Sequence, residues 1–406
     1  EIPLRLVGSE MCIRDSKMKK KSYGKKLLAW VLALAVSMTL VPVMGQREVQ
    51  AAKIMNAWDG ETTEVPKTDE NGTYQISNGA ELAWFAKKVN DGASSINGEL
   101  TDKIYLGDGT SQNKWLMIGD TAEHAYKGTF NGNGYTVYFL DAEISEENPD
   151  VRYAGLFGVI DGGTISNVKV SGEVHNNYAA YKTEGKYEKL YIGSGGIAGY
   201  LKSGTISGCT NYTETTMAGE ALRRNAGGIV GICSGTVRRC VNNGTLSTKV
   251  RFAQHNIGGI AGMEVGPNAV IRYCENKEAV QGYYSVGGIA GGVYQGAAVQ
   301  NCYNKAKIIG VDTIGGIAGG VNESSVYADG TVKECLIQNV YNQGELGGLV
   351  SYTGTIVGGI VGKLGYTDTK EEENPAQPVI KNAYNIAVYT LSLIHISEPT
   401  RRRGIS

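Results

Sequence analysis

Residues 227–242 read GGIVGICSGTVRRCVN. Two signatures are linked there. A Gly-Gly-Ile-x-Gly string opens the stretch, and β-branched Val237 is followed by the small Cys240 and then by Asn242. Both recur. The string appears at Gly195–Gly199, Gly227–Gly231, Gly258–Gly262, Gly287–Gly291, Gly315–Gly319 and Gly358–Gly362, with a diverged copy, AGLFG, at Ala154–Gly158. Start-to-start spacings are 41, 32, 31, 29, 28 and 43 residues. The second signature follows each time: ISGCTN from Ile206, VRRCVN from Val237, IRYCEN from Ile271, VQNCYN from Val299, IQNVYN from Ile337 and IKNAYN from Ile380. The first unit has ISNVKV from Ile165 and lacks the Asn.

A unit of about 30 residues cannot bury its own apolar face, so neighbours must stack into one continuous core. The expected fold is all-β, a parallel β-helix (β-solenoid) of about seven coils with an N-terminal capping helix. In-register stacking puts like on like. Ile197, Ile229, Ile260, Ile289, Ile317 and Ile360 form one inward ladder. Cys209, Cys240, Cys274 and Cys302, continued by Val340 and Ala383, form another. Asn211, Asn242, Asn276, Asn304, Asn342 and Asn385 form a third, suited to a turn because Asn tolerates the left-handed conformation and bonds nearby backbone. Their amides can also pair along the axis. The glycines permit tight corners and close approach between coils.

One spacing resists this reading. Three residues separate the β-branched position from the Cys row, which puts them on opposite faces of a straight strand. A corner or bulge must lie between them. At about 4.8 Å per parallel step, seven coils span roughly 35 Å. Open sheet ends need cover. Asn78–Asn90, NGAELAWFAKKVN, reads as a helix with Asn78 and Glu81 in a capping box and with Leu82, Trp84, Phe85 and Val89 as apolar surface. It is the expected N-terminal lid.

These residues resemble the GLUG-motif repeat family, short glycine-rich repeats of exported bacterial surface proteins. GGIAGYLKSGTISGCTNYTE and GGIVGICSGTVRRCVNNGTLS carry the resemblance. ISNGAELAWFAKKVN, KWLMIG and YKGTFNGNGYTVYFL look like the segment that precedes such repeats. The likeness covers about residues 74–388. It implies architecture and location but no single activity, since the family includes adhesins and non-catalytic parts of secreted peptidases.

Composition agrees. Glycine is 57 of 406 residues, roughly twice ordinary usage, without a collagen period. Tyr 24 against Phe 5 suggests a thin structure with much surface. Residues 1–17 and 391–406 share nothing with the rest and resemble translated sequencing-adapter tails, so they are set aside as artefact. Residues 18–52 read as a signal peptide: a Lys-rich start, an apolar run from Leu27, and Val49-Gln50-Ala51 before the cut. Residues 53–153 are the cap helix and lead-in strands, and 154–390 the repeat solenoid. Residues 53–390 hold 27 basic against 35 acidic groups, a net of −8 that repels nucleic acid and anionic membrane. No membrane span is expected once the signal is removed, and the product is expected secreted or at the cell surface.

Chemistry is sparse. Cys209, Cys233, Cys240, Cys274, Cys302 and Cys335 form no Cys-x-x-Cys pair, and four occupy one ladder row where Val and Ala substitute, so they read as free thiols used as small hydrophobes. His124, His175 and His255 are scattered and begin no HExxH. Gly193–Ala198 matches a dinucleotide fingerprint, but a repeat strand rather than a helix follows it. No catalytic residue, metal site or cofactor is assigned. Tyr303, Tyr341 and Tyr384 share one repeat position and form an aromatic strip on which sugars could stack. Inserts at about 320–334 and 363–378 should leave one side of the solenoid. The expectation is a non-enzymatic exported module, adhesin-like or a stalk, with surface glycans or host and envelope proteins as partners. The alternative is the non-catalytic N-terminal region of a larger secreted peptidase or polysaccharide-active enzyme.

Overall fold

The computed structural model describes residues 56–390 except 111–112, 146, 148–149, 178–190, 219–223, 249–254, 323–324, 327–331, 349–354 and 366–377. All of these belong to the compact unit Lys53–Ser406. The expected signal peptide and both terminal tails lie outside the described residues.

One turn of the repeat shows how the chain winds. Arg224–Gly227 runs into Val230–Cys233 through the two-residue link Gly228-Ile229, and Thr236–Arg238, Val241–Asn242 and Leu246–Thr248 complete the turn. Each strand pairs in parallel with its counterpart one unit later: His255–Gly258, Ala261–Val265, Val270–Arg272, Glu275–Asn276 and Val280–Gln281. Long parallel ladders result, so the fold is all-β and solenoid-like. The two antiparallel pairings among the described residues are Lys67–Thr68 with Tyr74–Ile76 and Ser325–Val326 with Val332–Lys333.

The recurring isoleucines touch their counterparts. Ile197 donates its backbone N–H to Ile229 O at 3.1 Å, Ile229 to Ile260 at 3.0 Å, and Ile260 to Ile289, Ile289 to Ile317 and Ile317 to Ile360 at 2.9 Å. The side chains from Ile197 to Ile317 are fully buried, and Ile360 is half-buried.

The awkward three-residue offset is resolved by a left-handed corner. The residue just before the Cys row has positive φ in every unit: Asn167, Gly208, Arg239, Tyr273, Asn301, Asn339 and Asn382, between 49° and 65°. That single residue reverses the side-chain alternation, so Val237 and Cys240 both point inward. The Asn ladder is therefore not the left-handed position. Asn211, Asn242, Asn276, Asn304 and Asn342 sit buried in strands, and the side chains of Asn211, Asn242, Asn304 and Asn342 bond backbone two residues on, as in Gly244 N–H to Asn242 Oδ1 at 3.1 Å.

The core is also divided. The main core holds the Ile and Cys rows and Ile206, Val237, Ile271, Val299 and Ile337. A second cluster holds Ala226, Ile257, Val286 and Ile314 against Leu246, Val280, Ile308 and Leu346. The cause is the fold-back at Gly-Gly. It turns Arg224–Gly227 and its equivalents into a separate seven-stranded parallel sheet, one face of which covers the second cluster.

The three repeat glycines have separate reasons. A Cβ on Gly227 would press under 3.0 Å against Val230 O inside the fold-back. One on Gly228 would strike the ladder amide of Asn242. One on Gly231 would strike the Ser194 backbone in the seven-stranded sheet one coil earlier. The same three collisions recur in the next units.

The helix α1, Gly79–Asn90, is capped by Asn78, whose Oδ1 accepts from Glu81 N at 2.9 Å. The Glu81 carboxylate accepts from the backbone of Ser77 at 2.6 Å rather than from Asn78, so the box is displaced by one residue. Leu82, Phe85, Ala86 and Val89 are buried in the main core, and the Phe85 ring meets Tyr126 and Phe130 at 6.1 and 5.7 Å.

Candidate functional site

The left-handed corner also organises the outer surface. In the strands that follow it, Tyr303 pairs in register with Tyr341, and Tyr341 with Tyr384. Tyr303 is 48% and Tyr384 66% exposed, while Tyr341 is half-buried between them. One coil earlier the row passes to Glu275, then to Val241 and Thr210, so the aromatic strip is confined to the last three repeats. Glu275 is held by Lys305 at 2.6 Å and Lys277 at 3.2 Å. These two cations keep its carboxyl below the usual range although burial opposes them.

Beside the tyrosines runs a feature that the sequence reading missed. Asn339 donates its side-chain amide to Asn301 Oδ1 at 3.1 Å, and Asn382 to Asn339 Oδ1 at 3.0 Å. Asn301, Asn339 and Asn382 are themselves the left-handed corner residues. Gln300 and Gln338 form a further amide contact at 3.5 Å. Tyrosine rings and corner amides thus alternate as parallel rows. The available signal was the thrice-repeated Asn-x-Tyr-Asn at residues 301–304, 339–342 and 382–385. Such a surface offers ring faces for C–H contacts and amide and phenol groups for hydroxyls.

The other assigned rows lie inside. The buried Asn ladder is continuous: Asn211 to Asn242 at 2.9 Å, Asn242 to Asn276 at 2.8 Å, Asn276 to Asn304 at 2.9 Å, and Asn304 to Asn342 and Asn342 to Asn385 at 2.8 Å. Cys209, Cys233, Cys240, Cys274, Cys302 and Cys335 are free and buried. Burial pushes the thiols of Cys209, Cys233 and Cys274 well up. Cys233 stacks on Glu264, which belongs to neither Cys row nor Asn row.

The histidines stay apart in their contacts. His124 Nδ1 meets Asp120 at 2.8 Å. His175 bridges Glu173 and Thr216 at 2.9 Å each. His255 is buried in register with Arg224. Among the described residues no three His, Cys, Asp or Glu side chains gather to hold a metal ion. Gly193–Ala198 lies across Ile192–Gly195 and Ala198–Ser207, so the apparent fingerprint runs from strand to strand. Among the described residues no helix is long and apolar enough to cross a membrane.

With this geometry in view, residues 282–309 match the family model of the GLUG motif. The matched stretch spans Ser285–Gly287, Ala290–Tyr294, Ala298–Gln300 and Tyr303–Asn304, and runs into Ile308–Gly310, close to one full turn of the repeat. Among solved structures, the chain is similar to a crystal structure titled "putative immunoglobulin A1 protease from Bacteroides ovatus", at 18% identity, with 80% of this chain and 87% of that chain covered and a TM-score of 0.47. No curated protein matches the chain.

Proposed function

We propose that residues 53–390 form a non-enzymatic, exported bacterial surface module that works as an adhesin-like or stalk element. In this reading seven coils build a stiff support, α1 covers its N-terminal end, and the corner face presents side chains in straight rows. The observation that carries it is the registered corner surface, Tyr303, Tyr341 and Tyr384 beside Asn301, Asn339 and Asn382. Rows at one strand step, about 4.8 Å, suit an extended chain of repeating units better than a compact ligand. The GLUG motif, a repeat of exported bacterial proteins, supports the surface location, and the expected partners are surface glycans or host and envelope proteins. The test is to screen recombinant 53–390 against glycan and extracellular-matrix panels. Retention that disappears in the Tyr303→Ala, Tyr341→Ala, Tyr384→Ala triple variant supports adhesion through the strip. Turnover of any polysaccharide or peptide by the purified module contradicts the non-enzymatic reading.

A further inference from the structure

Two side-chain rows face each other where the seven-stranded sheet packs on the neighbouring strands. One row, in register, is Tyr200, Ile232, Met263, Gly292, Gly320 and Lys363. The opposite row is Gly193, Asn225, Asn256, Ser285, Thr313 and Ile356. In the earlier coils the space is filled, with Ile232, Met263 and Asn225 all buried. Both rows then shrink in the same two coils: Ile and Met give way to Gly292 and Gly320, and the asparagines give way to Ser285 and Thr313. A paired loss of volume in a close-packed layer leaves a hollow rather than a repacked core.

The hollow is about 140 Å³. Tyr294 folds its ring over Gly292, where a Cβ would fall under 3.0 Å from the ring, and donates its hydroxyl to Asn256 Oδ1 at 3.1 Å. It forms a fixed wall. Tyr284, 43% exposed, supplies a second ring. Ser285, Thr313, Asp312 and Lys363 supply the polar lining, which Asn322 and Gly365 complete. The backbone beneath is pinned by Thr313 N–H to Tyr284 O at 2.8 Å and Asp312 N–H to Tyr283 O at 2.9 Å. Ser285 already donates to Gly291 O at 2.8 Å, which leaves its oxygen to accept.

We propose that this groove is a binding site for a single pyranose residue of a glycan. The volume equals roughly five waters, well short of a drug-sized pocket of about 300 Å³ or more. A pyranose presents an apolar C–H face to a tyrosine ring and a rim of hydroxyls to its edge. Asp312 and Ser285 accept from hydroxyls, Lys363 donates to them, and Thr313 serves either way. An apolar ligand would strip water from both charges without return. A simple ion would meet one like charge whichever sign it carried. The groove lies on Ser285–Gly287, Thr313–Gly315 and Ala318–Asn322, apart from the strands that carry the tyrosine strip, and does not depend on that strip binding anything.

The test uses recombinant 53–390 with methyl glycosides of hexoses, N-acetylhexosamines and uronic acids, followed by saturation-transfer NMR and calorimetry. Short oligosaccharides ending in the same sugars form a second arm, and free amino acids a third. At least one pyranoside should bind with a Kd of about 1 mM or tighter, as expected for a fragment of about 12 heavy atoms. Gly320→Met restores the bulk of the earlier coils. A Cβ there meets only Ser285 Oγ at 3.3 Å and Tyr294 Oη at 3.8 Å, so the variant should fold with an unchanged circular dichroism spectrum and Tm while binding falls at least tenfold. Tyr284→Ala provides a second, independent loss. The tyrosine triple variant should keep this binding. No binding by any sugar, binding by amino acids alone, or parent-like affinity in folded Gly320→Met would each overturn the proposal.

Discussion

The side-chain amide of Asn242 donates to Asn276 Oδ1 on the next coil at 2.8 Å and also to Gly244 O in its own turn at 2.8 Å. One buried group thereby fixes both the corner of its coil and the register of its neighbour. Five such amide steps, from Asn211 to Asn385, make the ladder continuous.

Asn276→Ala should therefore destabilise 53–390 by about 2–3 kcal/mol, because it removes two buried hydrogen bonds. It leaves Asn242, whose amide still reaches Gly244 O, with one N–H unpaired, and Asn304, whose oxygen still accepts from Ala306 N, with one lone pair unpaired. Asn339→Gly, which removes the exposed amide contacts and keeps a residue that tolerates the left-handed corner, should cost about 1 kcal/mol or less. Urea melts of the two variants against the parent check the difference. Equal costs would mean that the buried ladder adds nothing beyond an exposed one.

Close approach, rather than left-handed backbone, explains the repeat glycines, and two alanine substitutions separate the causes. A Cβ on Gly262 would lie under 3.0 Å from backbone atoms of Asn225 and Ala226. Gly266 has φ of 100° and nothing within 4 Å of the added carbon. Gly262→Ala should cost about 3 kcal/mol or prevent folding, and Gly266→Ala about 1–2 kcal/mol from local strain alone. Thermal melts read both.

Glu264 makes stability depend on pH. Its carboxyl is fully buried between Cys233 and Val293 in the strand register, and neither oxygen has a hydrogen-bond partner of good geometry. Burial pushes its pKa well above the ordinary 4.5, Cys302 adds to this, and the backbone amides of Ile271 and Ala298 offset it in part. For an acid raised in the folded state, the folded chain holds the proton longer than the unfolded chain does. The contribution is then fully present below pH 4.5 and is lost as pH climbs from there toward the folded pKa. Glu264→Val, which copies Val293, should raise Tm at pH 7 and flatten this decline. An unchanged slope between pH 5 and 8 would contradict it.

The six buried cysteines should be silent to a thiol reagent in native 53–390 and titrate as six thiols in denaturant. Cys274→Val should cost less than about 1.5 kcal/mol, since Val340 occupies the same row in a later coil. Fewer than six thiols after unfolding would point to disulfides.

How far the sequence could be read depends on whether a position repeats its chemistry. The Ile, Cys and Asn rows repeat residue types because each faces the same buried surroundings in every coil, so period and register were legible. The corner residue was not. Gly208, Arg239, Tyr273 and Asn301 share a backbone angle but no side-chain property. The seven-stranded sheet was hidden for a related reason. Its strands, such as Arg224–Gly227 and Ser285–Gly287, are short and bury one face on the second core and the other on glycine backbones. The tyrosine strip could be found from position alone, whereas the groove at Gly292 and Gly320 is a local absence of bulk. It is recognisable only once Ile232 and Met263 are known to be their neighbours in the row.

In-register stacking of successive repeats is tested most directly by pairs of nitroxide labels on the corner face of 53–390, where the native thiols are buried and out of reach. Labels at 303 and 341, one strand step apart, should show strong dipolar broadening from backbones about 5 Å apart, and labels at 303 and 384 should report a separation of about 10 Å between backbones. Sharp, non-interacting spectra for the 303–341 pair in a folded protein would contradict the account.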